Sequence, residues 1–362
     1  MSHSPLLVFV SMFAPAEAGG IRAFHLDPHA GSLVAAAETG GIPHPFFLAL
    51  APGRRTLYSI WAKQFGGPEP GEVAAWRIAD RAGTLVPLGR QSTLGAAPCH
   101  LATDPSGRML LLANYTSGDV ASFPIAADGT LAPIASFMKH QGSSVDPARQ
   151  QAPHAHTFIP APPGPDGTSR FAYAADLGTD EIVCYRLDAA TGTVTPANPR
   201  AVKMPPGSGP RHLRFTSDGR TLYALNELTS TIAVCGCDPA TGRLTPGQTI
   251  STLPGGGAPQ NLTADLALGV DGRFLYATNR GHDSIAVYAV AADGLLTLVE
   301  IVPSRGAGPQ NLAIVPDGTL LLCANMPGNS VTLFRIDRQT GRLEAVGEPT
   351  AVPAPACIAI VP

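Results

Sequence analysis

A few residues able to do chemistry recur at matching places along a chain that is otherwise short of charge. After a series of prolines come Phe46, Cys99 with His100, His154 with His156, Arg211 with His212, Gln260 with Asn261, and Gln310 with Asn311. A second series follows a recurring Asn or Asp: Tyr115, Leu177, Glu227, Arg280 with His282, and Met326. Guanidinium forks match the planar oxygens of a carboxylate or phosphate. A glutamate or imidazole beside them supplies a general base. If the fold brings the two series together, they form an anion-accepting pocket with a base in it. Glu227, Arg211, His154, His156 and Arg280 are the catalytic candidates, and His100, His212, Asn261, His282 and Asn311 the candidates for substrate contacts.

Each has a plainer reading beside the chemical one. His100 and His212 suit turns that hydrogen-bond backbone. Glu227 and Arg280 suit an ion pair between repeats. Asp176 and Asp180 suit turns bonding their own backbone, and Asn114, Asn226, Asn279 and Asn325 suit structural turns. His154-Ala155-His156 has a metal-ligand spacing, but no carboxylate stands near it. No metal or cofactor enters the reading. Gly-x-Ser-x-Gly, Gly-rich phosphate and His-Glu-x-x-His motifs are all missing from the sequence.

The elements that must position these residues are repeats. Pro210-Arg211-His212-Leu213 leads through Ser217-Asp218-Gly219 to Leu222-Tyr223-Ala224-Leu225-Asn226. Copies begin at Pro45, Pro98, Pro153, Pro259, Pro309 and Pro355, 46 to 57 residues apart, with about four extra residues in the copy from Pro259. Each unit predicts a four-stranded antiparallel meander, with Gly at φ > 0 in the first hairpin. Ala-Thr-Gly-type turns such as Ala240-Thr241-Gly242 lead to a poorer outer strand. One such sheet cannot bury its faces alone, so the units must pack around an axis, as in a β-propeller. Seven leading prolines predict an all-β, seven-bladed propeller, one domain over 1–362. The last copy ends after one strand, and Leu6–Val10 with Ile21–Leu26 supply what it lacks, so one blade joins both chain ends. First strands begin, and second strands end, on one face, which predicts that the two series meet at one mouth of the central channel.

Composition agrees. Gly 39 and Pro 36 with 44% hydrophobic and 14% charged residues describe short apolar segments cut by turns, not long helices or disorder. A formal net charge of −3 excludes nucleic acid as a main partner. No apolar stretch reaches the ~18 residues that span a bilayer, and the run from Leu6 lacks the basic start of a signal peptide. Six scattered cysteines read as reduced thiols, which implies a cytoplasmic protein.

With these motifs in hand, the chain resembles the seven-bladed propeller lactonase family, which includes propeller-type 6-phosphogluconolactonases and fungal 3-carboxy-cis,cis-muconate lactonizing enzymes. The resemblance covers essentially the whole chain. It is strongest at Gln151-Ala152-Pro153-His154-Ala155-His156, Asp176-Leu177-Gly178-Thr179-Asp180, Gly209-Pro210-Arg211-His212, Asn226-Glu227 and Asn279-Arg280-Gly281-His282-Asp283. It implies functional roles for His154 or His156, Arg211, Glu227 and Arg280. Gln310-Asn311 and Met326 depart from the commoner pattern, where Arg-Phe is frequent. The expected activity is hydrolysis of a sugar-acid lactone such as 6-phosphogluconolactone, by a monomer or weak homo-oligomer acting on a small anionic substrate. The rival expectations are a cycloisomerase closing a lactone from a carboxy-muconate-type acid, and a binding propeller without enzymatic activity.

Overall fold

The computed structural model describes residues 5–53, 55–255 and 260–361. Pro259, one of the leading prolines, and Pro362 lie outside them. Among the described residues there are 28 strands and no helix, gathered into seven four-stranded antiparallel sheets. The expected meander is well shown by Pro210–Phe215, Thr221–Asn226, Thr231–Cys237 and Leu244–Ser251. Its first turn closes from Gly219 N–H to the Thr216 carbonyl, with Gly219 at φ 69°. That conformation costs a residue without a Cβ nothing. The second strand is buried along its whole length, whereas the outer strand exposes most of its residues. This gradient follows the fall from Leu-Tyr-Ala to Thr-Pro-Gly-Gln.

Both chain ends meet in one sheet. Its order runs Pro355–Val361, Leu6–Met12, Gly20–Asp27, Ser32–Gly40, so the N-terminal apolar run is a strand paired on both sides. The Ser11 hydroxyl accepts from Cys357 N–H at 3.0 Å inside this pairing.

The sheets fall into two compact units. One comprises Met1–Phe46, Ile78–Val86 and Ser251–Pro362 and holds three sheets; the other comprises Phe47–Arg77 and Pro87–Ile250 and holds the main part of four. Within each, neighbouring sheets bury their faces on one another. Val8, Val10, Phe24 and Leu26 pack with Leu320, Leu322 and Leu333 in the first unit. Ile159, Tyr173 and Ile182 pack with Leu213, Leu222 and Ala233 in the second. A polar bond of one kind recurs between three pairs of sheets: a second-strand tyrosine hydroxyl donates to a glycine carbonyl in the outer turn of the next sheet. Tyr58 reaches Gly129 at 3.0 Å, Tyr173 reaches Gly242 at 2.9 Å and Tyr276 reaches Gly341 at 3.1 Å. A Cβ on Gly242 would lie 2.6 Å from Phe171, so the turn approaches closely enough only as glycine. The Ala-Thr-Gly turn is therefore an inter-sheet contact as well as a hairpin.

The recurring asparagines are structural, as expected. Asn114 Nδ2 donates to Asp119 at 2.6 Å, and Asn226 Nδ2 to Thr231 at 3.0 Å. Each ties the end of its second strand to the start of the third.

Candidate active site

The four-sheet unit brings its first-strand starts together. The Phe47 ring lies 4.4 Å from His100 and 5.9 Å from His212, and His212 lies 5.5 Å from His100 and 5.4 Å from His156, centroid to centroid. Each of the four sheets contributes to this cluster. It is Phe47, not the predicted Phe46, that belongs to it; Phe46 packs on Phe13 in the other unit.

How Arg211 and its neighbour His212 both turn inward is a matter of register. Strict alternation would send adjacent side chains to opposite faces. Here the pairing with the second strand slips between Pro210 and His212, leaving Arg211 as the extra residue of a β-bulge. Arg211 Nη1 then sits 3.2 Å from His212 Nε2. The same slip occurs at Cys99, between Pro98 and His100, and at His156, between Ala155 and Thr157. The device recurs at every first strand that carries candidate chemistry in this unit.

Glu227 is the centre of the site. It follows Asn226, and its N–H donates to the Gly209 carbonyl at 2.7 Å, which places it beside the start of the neighbouring strand. Its carboxylate is clamped between two guanidinium groups: Arg211 Nε at 2.8 Å from Oε2 and Arg149 Nη2 at 2.7 Å from Oε1. The Arg211 side chain is 1% exposed and that of Glu227 5%, whereas Arg149 is 33% exposed. The cationic partners found for Glu227 in its own unit are Arg211 and Arg149.

Arg149 has no place in the repeat. It rides on the loop that precedes Pro153, and that loop is firmly built. Asp146 accepts from the N–H groups of Ala148 and Arg149. The buried Gln150 donates through Nε2 to the Leu177 carbonyl and to Asp180, each at 2.8 Å. Asp180 also accepts from Ser144 Oγ and from Gly207 and Gly209 N–H. One carboxylate therefore ties the Arg149 loop to the segment leading into Arg211. Asp176 bonds its own turn through Gly178 and Thr179 N–H, as expected, but Asp180 serves other segments instead of its own backbone.

Tyr115 and the histidines complete the surroundings. The Tyr115 hydroxyl accepts from Arg149 Nη2 at 3.3 Å, and its ring stacks on His154 at 4.6 Å with a 15° interplanar angle. His154 Nδ1 lies 3.0 Å from the Tyr115 carbonyl. A carbonyl only accepts, so Nδ1 carries a proton, and Nε2 faces the Gln151 amide at 3.3 Å. Burial raises the Tyr115 pKa, so that hydroxyl stays protonated. Burial likewise pushes the Cys99 thiol far up and keeps it from acting as a thiolate nucleophile. Arg149 keeps its charge: burial works against it, but the attraction of Glu227 and the bonds to Glu227 and Tyr115 outweigh burial.

His156 is held well below the ordinary histidine value, first by burial and then by the electrostatic influence of Arg211 and His212, with Glu227 opposing. A neutral imidazole of this kind is a weak base, which favours Glu227 for that role. The effect also has a sign in stability. On acidification the unfolded chain takes up this proton near pH ~6.5 while the folded chain still refuses it. The His156 contribution is therefore complete above about pH 6.5 and falls by up to ~1.4 kcal/mol per pH unit below it. Denaturant unfolding between pH 7.5 and 5.5 is expected to show a shallower loss for His156→Gln than for the parent; parallel curves would contradict the assignment.

The remaining candidates lie in the three-sheet unit. Arg280 donates through Nη2 to the Thr263 carbonyl at 2.8 Å, with longer contacts to the Leu262 carbonyl and Gln310. Asn279 Oδ1 accepts from Asn261, and Asn261 Oδ1 accepts from His282 N–H. His282 Nδ1 is 2.8 Å from Ser284 Oγ. Asn311 donates to the buried Asp265 at 2.7 Å and accepts from Ile358 N–H at 2.8 Å. Asp265 lies in the insertion of about four residues, where the register between Thr263 and Leu266 also slips. These contacts hold first strands in place within that unit.

Three features escaped the sequence reading. Arg149 lies outside any repeat position, and its only signal is a cation two residues before the Gln151–His156 motif. Phe47 is one residue from the predicted place. The buried chain of His140 Nδ1 to Asp176 at 2.6 Å and Nε2 to the Tyr185 hydroxyl at 2.8 Å had no sequence signal.

This fold and site define a class. The chain matches the model of the family Lactonase, 7-bladed beta-propeller, over residues 7–360, and it belongs to that family. Its seven sheets are the blades of that fold. It is 31% identical over 353 residues to the 6-phosphogluconolactonase of Bacillus subtilis (strain 168), covering 97% of each chain. It is 30% identical over 352 residues to the 6-phosphogluconolactonase of Formosa agariphila, covering 95% of this chain and 96% of that one. The solved structure of the periplasmic gluconolactonase of Pseudomonas aeruginosa is similar at a TM-score of 0.91 and 32% identity, covering 99% of both chains.

Proposed function

We propose that the protein hydrolyses a sugar-acid lactone, 6-phosphogluconolactone or a related aldonolactone, at the pocket around Glu227. As a lactonase it is a carboxylic-ester hydrolase. The observation that carries the reading is the Glu227 carboxylate held between Arg211 and Arg149. Glu227 takes a proton from a water that attacks the lactone carbonyl. The Arg211 guanidinium and the protonated Tyr115 hydroxyl supply donors for the oxyanion. As the tetrahedral intermediate collapses, the ring C–O bond breaks and the proton on Glu227 passes to the departing ring oxygen. Water is consumed, one carboxylic acid and one hydroxyl are formed, and the base is restored. No step calls for a cofactor. A cytoplasmic location belongs to the same proposal and rests on six cysteines that are all free thiols.

A pH-stat titration tests the reading, since opening a lactone releases acid at neutral pH. Base uptake well above spontaneous hydrolysis is expected with 6-phosphogluconolactone or a plain aldonolactone. No acceleration with any sugar lactone, together with loss of the ultraviolet band of a carboxy-muconate, would replace hydrolysis by lactone closure.

A further inference from the structure

We infer that Arg149 is the anchor for a phosphate monoester at the end of the substrate remote from the ester, and so sets the preference for phosphorylated lactones. The inference rests on the hydrolytic reading above and deepens it.

The two arginines on Glu227 are not equivalent. Arg211 is sealed in and comes from a strand inside the repeat; Arg149 is one-third exposed and comes from an added loop. Arg149 spends only Nη2 on protein partners, Glu227 Oε1 at 2.7 Å and the Tyr115 hydroxyl at 3.3 Å. Its Nε–H and both Nη1 hydrogens bond no group among the described residues. Three donors in a planar fork are thus presented at the open side of the cluster, the arrangement that suits phosphate oxygens. The backbone beneath is fixed by Asp146, Gln150 and Asp180, so the fork is placed before any ligand arrives. The partly exposed Arg149 guanidinium carries a positive charge that an anion can meet. The substrate class narrows the choice of anion. In a sugar lactone the carboxyl function is the ester under attack, so a charge must come from a substituent elsewhere on the molecule, and the terminal hydroxyl is the one farthest from the ester. A phosphate monoester there meets Arg149 while the carbonyl meets Glu227 and Arg211.

Calorimetric binding of 6-phosphogluconate and gluconate to the full chain tests this, because the two ligands differ only in the phosphate. The parent is expected to bind the phosphorylated ligand more tightly. Arg149→Gln should reduce that preference about 10- to 100-fold, the range of one charge-assisted hydrogen-bonded contact, with little change for gluconate. Arg149→Lys, which keeps a point charge without the fork, should retain part of it. Equal weakening of both ligands would show that Arg149 only positions Glu227, and an unchanged preference would show no contact at all; either overturns the inference, as would a parent with no preference. A positioning role would also lower turnover of plain and phosphorylated lactones alike, whereas an anchor raises KM for the phosphorylated one alone. Should the parent show the binding preference but hydrolyse no lactone, the anchor stands and the hydrolytic reading fails.

Discussion

Glu227→Gln is expected to lower kcat on the best lactone by about 10²–10⁴, the usual worth of a positioned general base, with a much smaller change in KM. The amide keeps the shape of the carboxylate but has neither its charge nor its basicity. It also faces Arg211 and Arg149 with one hydrogen-bonding oxygen where there were two acceptors. Part of any loss could come from a disturbed cluster, so a thermal melt accompanies the kinetics. A folded variant with parental turnover would remove Glu227 from the chemistry. A folded variant that still binds product while turnover collapses would place the effect in the transition state.

Arg211→Met is expected to cost about 1–3 kcal/mol of stability, since it removes one of the two guanidinium partners of a buried carboxylate that Arg149 still holds. Both partners are almost fully enclosed, at 1% and 5% side-chain exposure, so solvent screens little of this. Arg211→Lys keeps the charge but loses the fork that reaches Glu227 Oε2 and His212 Nε2 together. It should be less destabilising yet still lose activity by 10²-fold or more, the typical penalty for removing an oxyanion donor. The double variant Arg211→Met, Glu227→Leu discriminates stability from function. Replacing a whole buried pair by apolar groups is often neutral, so it should recover much of the stability lost by the single variant with no return of activity. Denaturant midpoints and turnover on one lactone measure all three. A single Arg211→Met variant as stable as the parent would mean that the pair is not the buried contact described here.

Much of the architecture was legible because it is written in local chemistry. Strand alternation, Asp-Gly and Ala-Thr-Gly turns and the Leu-Tyr-Ala-x-Asn run each depend on neighbours a few residues away. Repetition of that pattern reveals the number of sheets. The incomplete last copy from Pro355 also predicted that Leu6–Val10 would complete its sheet, because an unfinished sheet has exposed edges that only a missing strand can cover; the strands found are Leu6–Met12 and Pro355–Val361. The positions after the leading prolines and second-strand asparagines were readable for the same reason: antiparallel neighbours start and stop together.

The partners within the site were a different matter. Glu227 met Arg211 and Arg149 because a register slip turned Arg211 and His212 inward together and because the Asp180 carboxylate drew in an added loop. Neither event has a sequence signature. A bulge is a mismatch between two strands, and a loop's resting place depends on acceptors dozens of residues away. Residue order alone therefore determined the kind of sheet, how many there are, and which side chains stand at their ends. The tertiary structure decided which of those side chains touch, how deeply each charge is enclosed, and which guanidinium remains open to a ligand, because those depend on non-local distances and on exclusion of water.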